Sequence, residues 1–158
     1  MSCVLTPNPG FEASISGWHT SDPSIAYVTT NPNVAYAGNN FLDLSVTTEN
    51  PEVSVRTYLY DLDTTTPHNL TLYVRIDEPI PSSTHCAVEA YIGKDPEAGA
   101  IASDLFWNAG QWLRLTGLFQ PTQGDDVLNI VGSCAFHDGF TSNHVLIDEV
   151  VLSDCDTE

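Results

Sequence analysis

Seven side chains in the middle of the sequence have types suited to ligand recognition: Arg56, Tyr58, Tyr73, Arg75, Glu89, Tyr91 and Arg114. Tyrosine offers a flat apolar ring with a hydroxyl at its tip, and arginine a planar fork of donors. Together they suit stacking on a ligand ring and hydrogen bonding to its polar groups. Trp107, in Leu105-Phe106-Trp107-Asn108, is a further candidate. It serves either as the wall of a cleft or as a hydrophobic plug beneath a loop.

What unites the seven is parity. The chain alternates apolar and polar residues with period two, broken by Pro, Gly, Asn and Asp clusters, and no helical periodicity persists. The alternation predicts strands near 3–5, 11–19, 25–29, 41–47, 52–60, 69–77, 86–93, 112–120, 127–136 and 145–153. Val53, Val55 and Leu59 then point inward while Arg56, Tyr58 and Tyr60 point outward. By the same count Tyr73, Arg75, Glu89, Tyr91, Trp112 and Arg114 look outward. If the four middle strands share one sheet, its outer face is a single wall of phenols and guanidiniums, a ligand-binding surface. The alternative is that segment 94–111 covers this face and that Arg75 and Glu89 pair across strands. That segment is expected to be a long loop with a short helical turn.

Short, frequent strands without intervening helices imply an all-β sandwich of two antiparallel sheets. The 158 residues fit one domain, 1–158, with neither linker nor internal repeat. Four basic against 21 acidic side chains give a net charge of −17, which leaves no basic footprint for nucleic acid or an anionic membrane. No apolar run approaches the ~18 residues of a membrane span. The acid excess reads as a solvated surface, with an acidic habitat or a bound cation as sharper readings.

Four cysteines, in a small domain, suggest disulfides and an oxidising compartment, hence a secreted, extracellular protein. They allow three pairings; the favoured one joins Cys3 to Cys155 and Cys86 to Cys134. No CxxC or CxH spacing points to zinc. Met1 stands directly before strand-like Ser2-Cys3-Val4 and reads as a start residue added to a mature sequence. Asn69-Leu70-Thr71 is a glycosylation sequon, which fits secretion.

Motif-borne catalysis finds no support: there is no GxSxG, no HExxH and no phosphate-cradling glycine loop. Phe136-His137-Asp138 places a base near a turn, but the turn itself at Asp138-Gly139 accounts for those residues equally well.

Asn8-Pro9-Gly10-Phe11-Glu12 with Gly17-Trp18, then Ala35-Tyr36-Ala37-Gly38 with Phe41-Leu42-Asp43-Leu44, then Trp112, then Ile147-Asp148-Glu149-Val150-Val151-Leu152 run in order along the chain. This series resembles the carbohydrate-binding modules beside bacterial cellulases and xylanases (the CBM4/9/22-like group). The cysteines are most similar to those of small secreted fungal relatives. The resemblance implies a β-jelly-roll of the galactose-binding-like type. It also implies a structural calcium held by Glu12 and Asp148, with carbonyls near Ala37 and Gly38. Against it, these acids cap turns or pair with a base, and two disulfides replace a metal. Trp18 and Trp112 fall on positions that pack as core or cleft floor. No cofactor for chemistry is implied.

Three functions are compatible with this reading. The first is a glycan-binding protein, a monomer or weak dimer, using the Tyr/Arg face. The second is an enzyme on the same sandwich, a cyclase, isomerase or cycloaddition catalyst working on a small molecule by positioning. The third is a cell-surface or host-interaction protein.

Overall fold

The computed structural model describes residues 3–155; Met1 and the end of the acidic run through Glu158 lie outside them. Ten strands and one helical turn follow in order: β1 (His19–Thr20), β2 (Ala26–Thr30), β3 (Asn40–Thr47), β4 (Glu52–Leu59), β5 (His68–Ile76), β6 (Cys86–Ile92), α1 (Pro96–Gly99), β7 (Ala100–Phe106), β8 (Leu113–Phe119), β9 (Asp126–Cys134) and β10 (Ser142–Ser153). They form two antiparallel five-stranded sheets. Sheet I runs β1-β4-β9-β6-β7 and sheet II runs β2-β3-β10-β5-β8. The all-β jelly-roll sandwich expected from the sequence is the observed architecture. No helix is long and apolar enough to cross a membrane.

Alternation builds the core. In β4, Val53, Val55 and Leu59 are buried and Ser54, Arg56 and Tyr58 exposed, so every second side chain enters the interior. Leu70, Leu72 and Val74 of β5 meet Val88, Ile130 and Leu128 of sheet I in one apolar cluster. Gly132 marks a close approach of the layers: a Cβ there would stand 2.9 Å from Leu44 Cδ1.

Three segments depart from expectation. Segment 3–5 forms a single bridge, Val4 to Ser153, rather than a strand. Residues 11–17 are not a strand; the chain turns through Phe11 and Ser14, both at positive φ, before β1 begins. Asn8 organises this loop by donating to the Ser14 and Ser16 carbonyls and accepting from Ala13 N–H. Phe11 and Trp18 still reach the interior, their rings 5.3 Å apart. Segment 94–111 contains the expected helical turn but also β7, which pairs with β6. As an edge strand, β7 has one hydrogen-bonded neighbour and an exposed Ser-Asp-Leu centre, so its alternation is weak.

Both favoured disulfides are present. Cys86 and Cys134 are directly opposite on β6 and β9. Cys3 and Cys155 join the chain ends at a Cα separation of 5.5 Å, beside the Val4–Ser153 bridge.

Candidate functional site

The outer face of sheet I carries a transverse row: His19 of β1, Arg56 of β4, Asn129 of β9 and Tyr91 of β6 are register partners. Two residues along β4, Tyr58 opposes Val127, whose carbonyl accepts from Gly93 N–H at 3.0 Å. The His19 ring meets Tyr58 edge-on at 5.1 Å. Asn129 donates through Nδ2 to the Gly93 carbonyl at 2.8 Å, and its side-chain oxygen takes no hydrogen bond among the described residues. Tyr60 follows at the end of β4, and Lys94 at the exit of β6. The result is a cleft of about 770 Å³ lined by Arg56, Asn129 and Val127 together with Tyr58, Tyr60 and Tyr91. It is open: Tyr58 and Tyr60 stay 38% and 64% exposed.

The seven candidates therefore divide. Arg56, Tyr58 and Tyr91 meet in this cleft. Glu89 lies on the same face one row away, opposite Val131 and Ser103. Tyr73, Arg75 and Arg114 belong to β5 and β8 and face outward from sheet II, on the other side of the molecule. The single shared wall is corrected to two walls, and an Arg75–Glu89 pair is ruled out by the thickness of the sandwich. Trp107 sits just beyond β7, 52% exposed, its ring 4.9 Å from that of His85. His85 and Tyr91 are six residues apart along β6, about 20 Å at strand rise. Trp107 thus borders neither the tyrosine cleft nor a covered loop.

The outward tyrosine of sheet II has a structural task. Tyr73 stacks on Tyr36 at 3.7 Å, and Trp112 donates its indole N–H to the Val34 carbonyl at 2.7 Å. These contacts fasten loop 31–39 to the sheet. Arg75 presents a buried Nε without a hydrogen-bond partner.

The fastened loop presents its backbone to both residues expected to bind metal. Glu12 Oε1 accepts from Asn39 N–H at 2.8 Å and Asn40 N–H at 3.1 Å. Asp148 accepts from Ala37 N–H through Oδ2 at 3.2 Å and from Glu149 N–H through Oδ1 at 2.8 Å. Gly38 at φ +65° passes so close to Glu12 Oε1 that a Cβ would collide with it. Asp148 is fully buried. Burial is the main cause that pushes its pKa up to about 7; nearby Glu149 adds to it, while backbone N–H groups of Ala37, Glu149 and Tyr36 oppose it. Among the described residues, the tight group of metal-capable side chains is Cys3, Asp154 and Cys155, whose two sulfurs are bonded to each other.

Sequence reasoning missed Asn129, Lys94 and Tyr60 as cleft residues. Asn129 was legible, since it alternates with buried Leu128 and Ile130. It also missed His144, whose Nδ1 lies 2.7 Å from Asp43 Oδ1 on the outer face of sheet II. The hydrogen bond to Asp43 raises the His144 pKa, with desolvation opposing. His137 sits in an exposed turn, bridged to Phe140, with Ser83 Oγ 3.3 Å from its Nε2.

No family model and no curated protein matches the sequence. Solved structures do. "TmCBM61 in complex with beta-1,4-galactotriose" superposes with a TM-score of 0.69 at 14% identity, covering 97% of this chain and 99% of that one. The CBM22-1–GH10 modules of Clostridium thermocellum xylanase 10B, complexed with xylohexaose, give 0.66 at 15%, covering all of this chain and 30% of that one. A xylan-binding domain from CBM22 gives 0.65 at 15%, covering 100% and 99%. At these identities the likeness establishes the fold, that of the carbohydrate-binding modules.

Proposed function

We propose that this protein binds a glycan in the open cleft of sheet I, in a secreted setting like that of the small fungal relatives its cysteine pattern resembles. The observation that carries the reading is the cleft itself: three tyrosines around Arg56 and Asn129 on one sheet face. Tyrosine rings cover the apolar faces of a pyranose, and the amide and guanidinium meet its hydroxyls. An open groove suits a polymer, whereas an enzyme for a small metabolite calls for an enclosed pocket. The galactotriose and xylohexaose in the similar structures support a neutral β-linked chain as first ligand. Two disulfides support an oxidising compartment. Asn69 and Thr71 line a groove of about 530 Å³ on sheet II, so the sequon faces solvent and supports glycosylation there.

A structural calcium completes the reading. Glu12 and Asp148 would hold it, with carbonyls of the 37–38 segment. Calcium prefers oxygen, and a carboxylate as buried as Asp148 gains from a divalent neighbour, but the amides of Ala37, Asn39 and Asn40 point at these two carboxylates in this structure and would have to yield to the ion.

The test is calorimetric titration with xylohexaose and galactotriose. Binding to at least one is expected, weakened about tenfold in Tyr91→Ala and in Tyr58→Ala, the scale of one lost stacking contact. Undiminished binding in the Tyr58→Ala/Tyr91→Ala double variant removes the cleft from the account. So does an equal loss in Tyr73→Ala, on the other sheet.

A further inference from the structure

We propose that the glycan seated in this cleft carries a carboxylate on an otherwise neutral chain, a uronic acid substituent, engaged by Arg56 and Lys94. This deepens the glycan reading and rests on it.

The argument starts from charge. The chain has 21 acidic and four basic side chains, so a base should find an acid easily. Yet the two ion pairs among the described residues, His137–Asp138 and His144–Asp43, both use histidine. Neither Arg56 nor Lys94 has a hydrogen-bond or ion-pair partner among those residues. Both line the tyrosine cleft.

The two carboxylates of the same cleft are engaged. Asp125 Oδ1 accepts from Asp61 N–H at 3.2 Å. Asp126 accepts from Val127 N–H at 2.9 Å and from Gln123 Nε2 at 3.2 Å. Two cations face two carboxylates here, in a chain whose net charge is −17. The cleft is thus a local relief in a negative field, and its uncommitted charged groups are the donors. Arginine and lysine left open in this way are complementary to a carboxylate.

Geometry sets where that carboxylate falls. Arg56 and Tyr91 flank Asn129 on adjacent strands and so stand about 10 Å apart. Lys94 follows Tyr91 by three residues at the exit of β6, so a carboxylate branch on a sugar stacked on Tyr91 falls between Arg56, across the sheet, and Lys94, along the strand direction. The surrounding field decides against a polyanion. Charges beyond the cleft are screened over about 8 Å at physiological salt, so a single carboxylate between two cations escapes most repulsion. A chain with a carboxylate on every sugar would lay the rest over acidic surface.

The experiment compares three probes by titration at low and at high salt: a neutral β-1,4-xylo-oligosaccharide, the same chain with one glucuronic acid branch, and that branched chain after reduction of its carboxyl. The protein is expected to favour the acid over its reduced form about tenfold at low salt, the worth of one charge-assisted hydrogen bond, and less at high salt. The Arg56→Gln/Lys94→Gln variant is expected to bring that ratio to about one. Because the readout is a ratio between two ligands of one shape, it stands even where both affinities shift. Equal affinity for the acid and its reduced form overturns the inference and leaves the glycan reading intact. So does a preference that survives in the double variant. Failure of all three probes to bind overturns this inference for xylan, whereas galactotriose binding would still uphold the broader reading.

Discussion

Replacing Asp43 by Asn should reduce the dependence of melting temperature on pH. His144 Nδ1 sits 2.7 Å from Asp43 Oδ1; Asp43 is 8% exposed. Asp77 and Glu78 also favour the charged imidazole. A histidine whose folded pKa is raised stabilises the protein fully below its unfolded value of 6.5, and that contribution is lost as pH rises through the folded value. A charge-assisted hydrogen bond contributes about 1.5–3 kcal/mol; discounting for the solvent around the imidazole leaves about 1–2 kcal/mol. At about 2–4 °C per kcal/mol for a chain of this size, that is a melting point higher by about 2–8 °C at pH 5.5 than at 8.5. Asp148, whose pKa burial raises to about 7, also favours lower pH, so the whole slope is not diagnostic. The difference between wild type and Asp43→Asn is diagnostic, because the variant keeps Asp148. Scanning calorimetry at both pH values measures it, and an NMR titration of the imidazole locates the proton. Identical pH slopes in the two proteins would falsify the assignment.

The remaining expectations are separate. Calcium at about a hundred times its Kd should stabilise by ~2.7 kcal/mol, or about 5–10 °C, reversed by chelator; a melt indifferent to both removes the metal. Opening the Cys86–Cys134 bond, which closes a separation of 48 residues, should cost about 4 kcal/mol in the chain-entropy model. A Cys86→Ala/Cys134→Ala variant melting within a degree of wild type contradicts that. Expressed through a eukaryotic secretory route, the protein should carry glycan mass that Asn69→Gln abolishes; an unmodified Asn69 peptide rejects the site.

The sequence disclosed direction better than neighbourhood. Val53, Val55 and Leu59 against Arg56 and Tyr58 were readable because a strand repeats every two residues, whatever it pairs with. Parity does not say which sheet a strand joins. β4 and β5 are consecutive yet lie in different sheets, whereas β4 pairs with the distant β9. Hence Tyr73 and Tyr91 shared an outward sense but not a wall. The cysteines carried long-range information that alternation lacked, since Cys86 and Cys134 put β6 beside β9. β7 escaped notice because an exposed edge strand needs little apolar patterning. Loop 11–17 misled for the opposite reason: Phe11 and Trp18 are core residues delivered by turns rather than by a strand.

The Cys3–Cys155 bond has a mechanical consequence. Tension applied between the two ends of the polypeptide passes from one sulfur to the other and bypasses the 152-residue separation they bracket. The sheets, and the cleft they support, would feel none of that pull until the covalent bridge were reduced. Reductant should therefore convert a domain that resists stretching into one that unravels strand by strand.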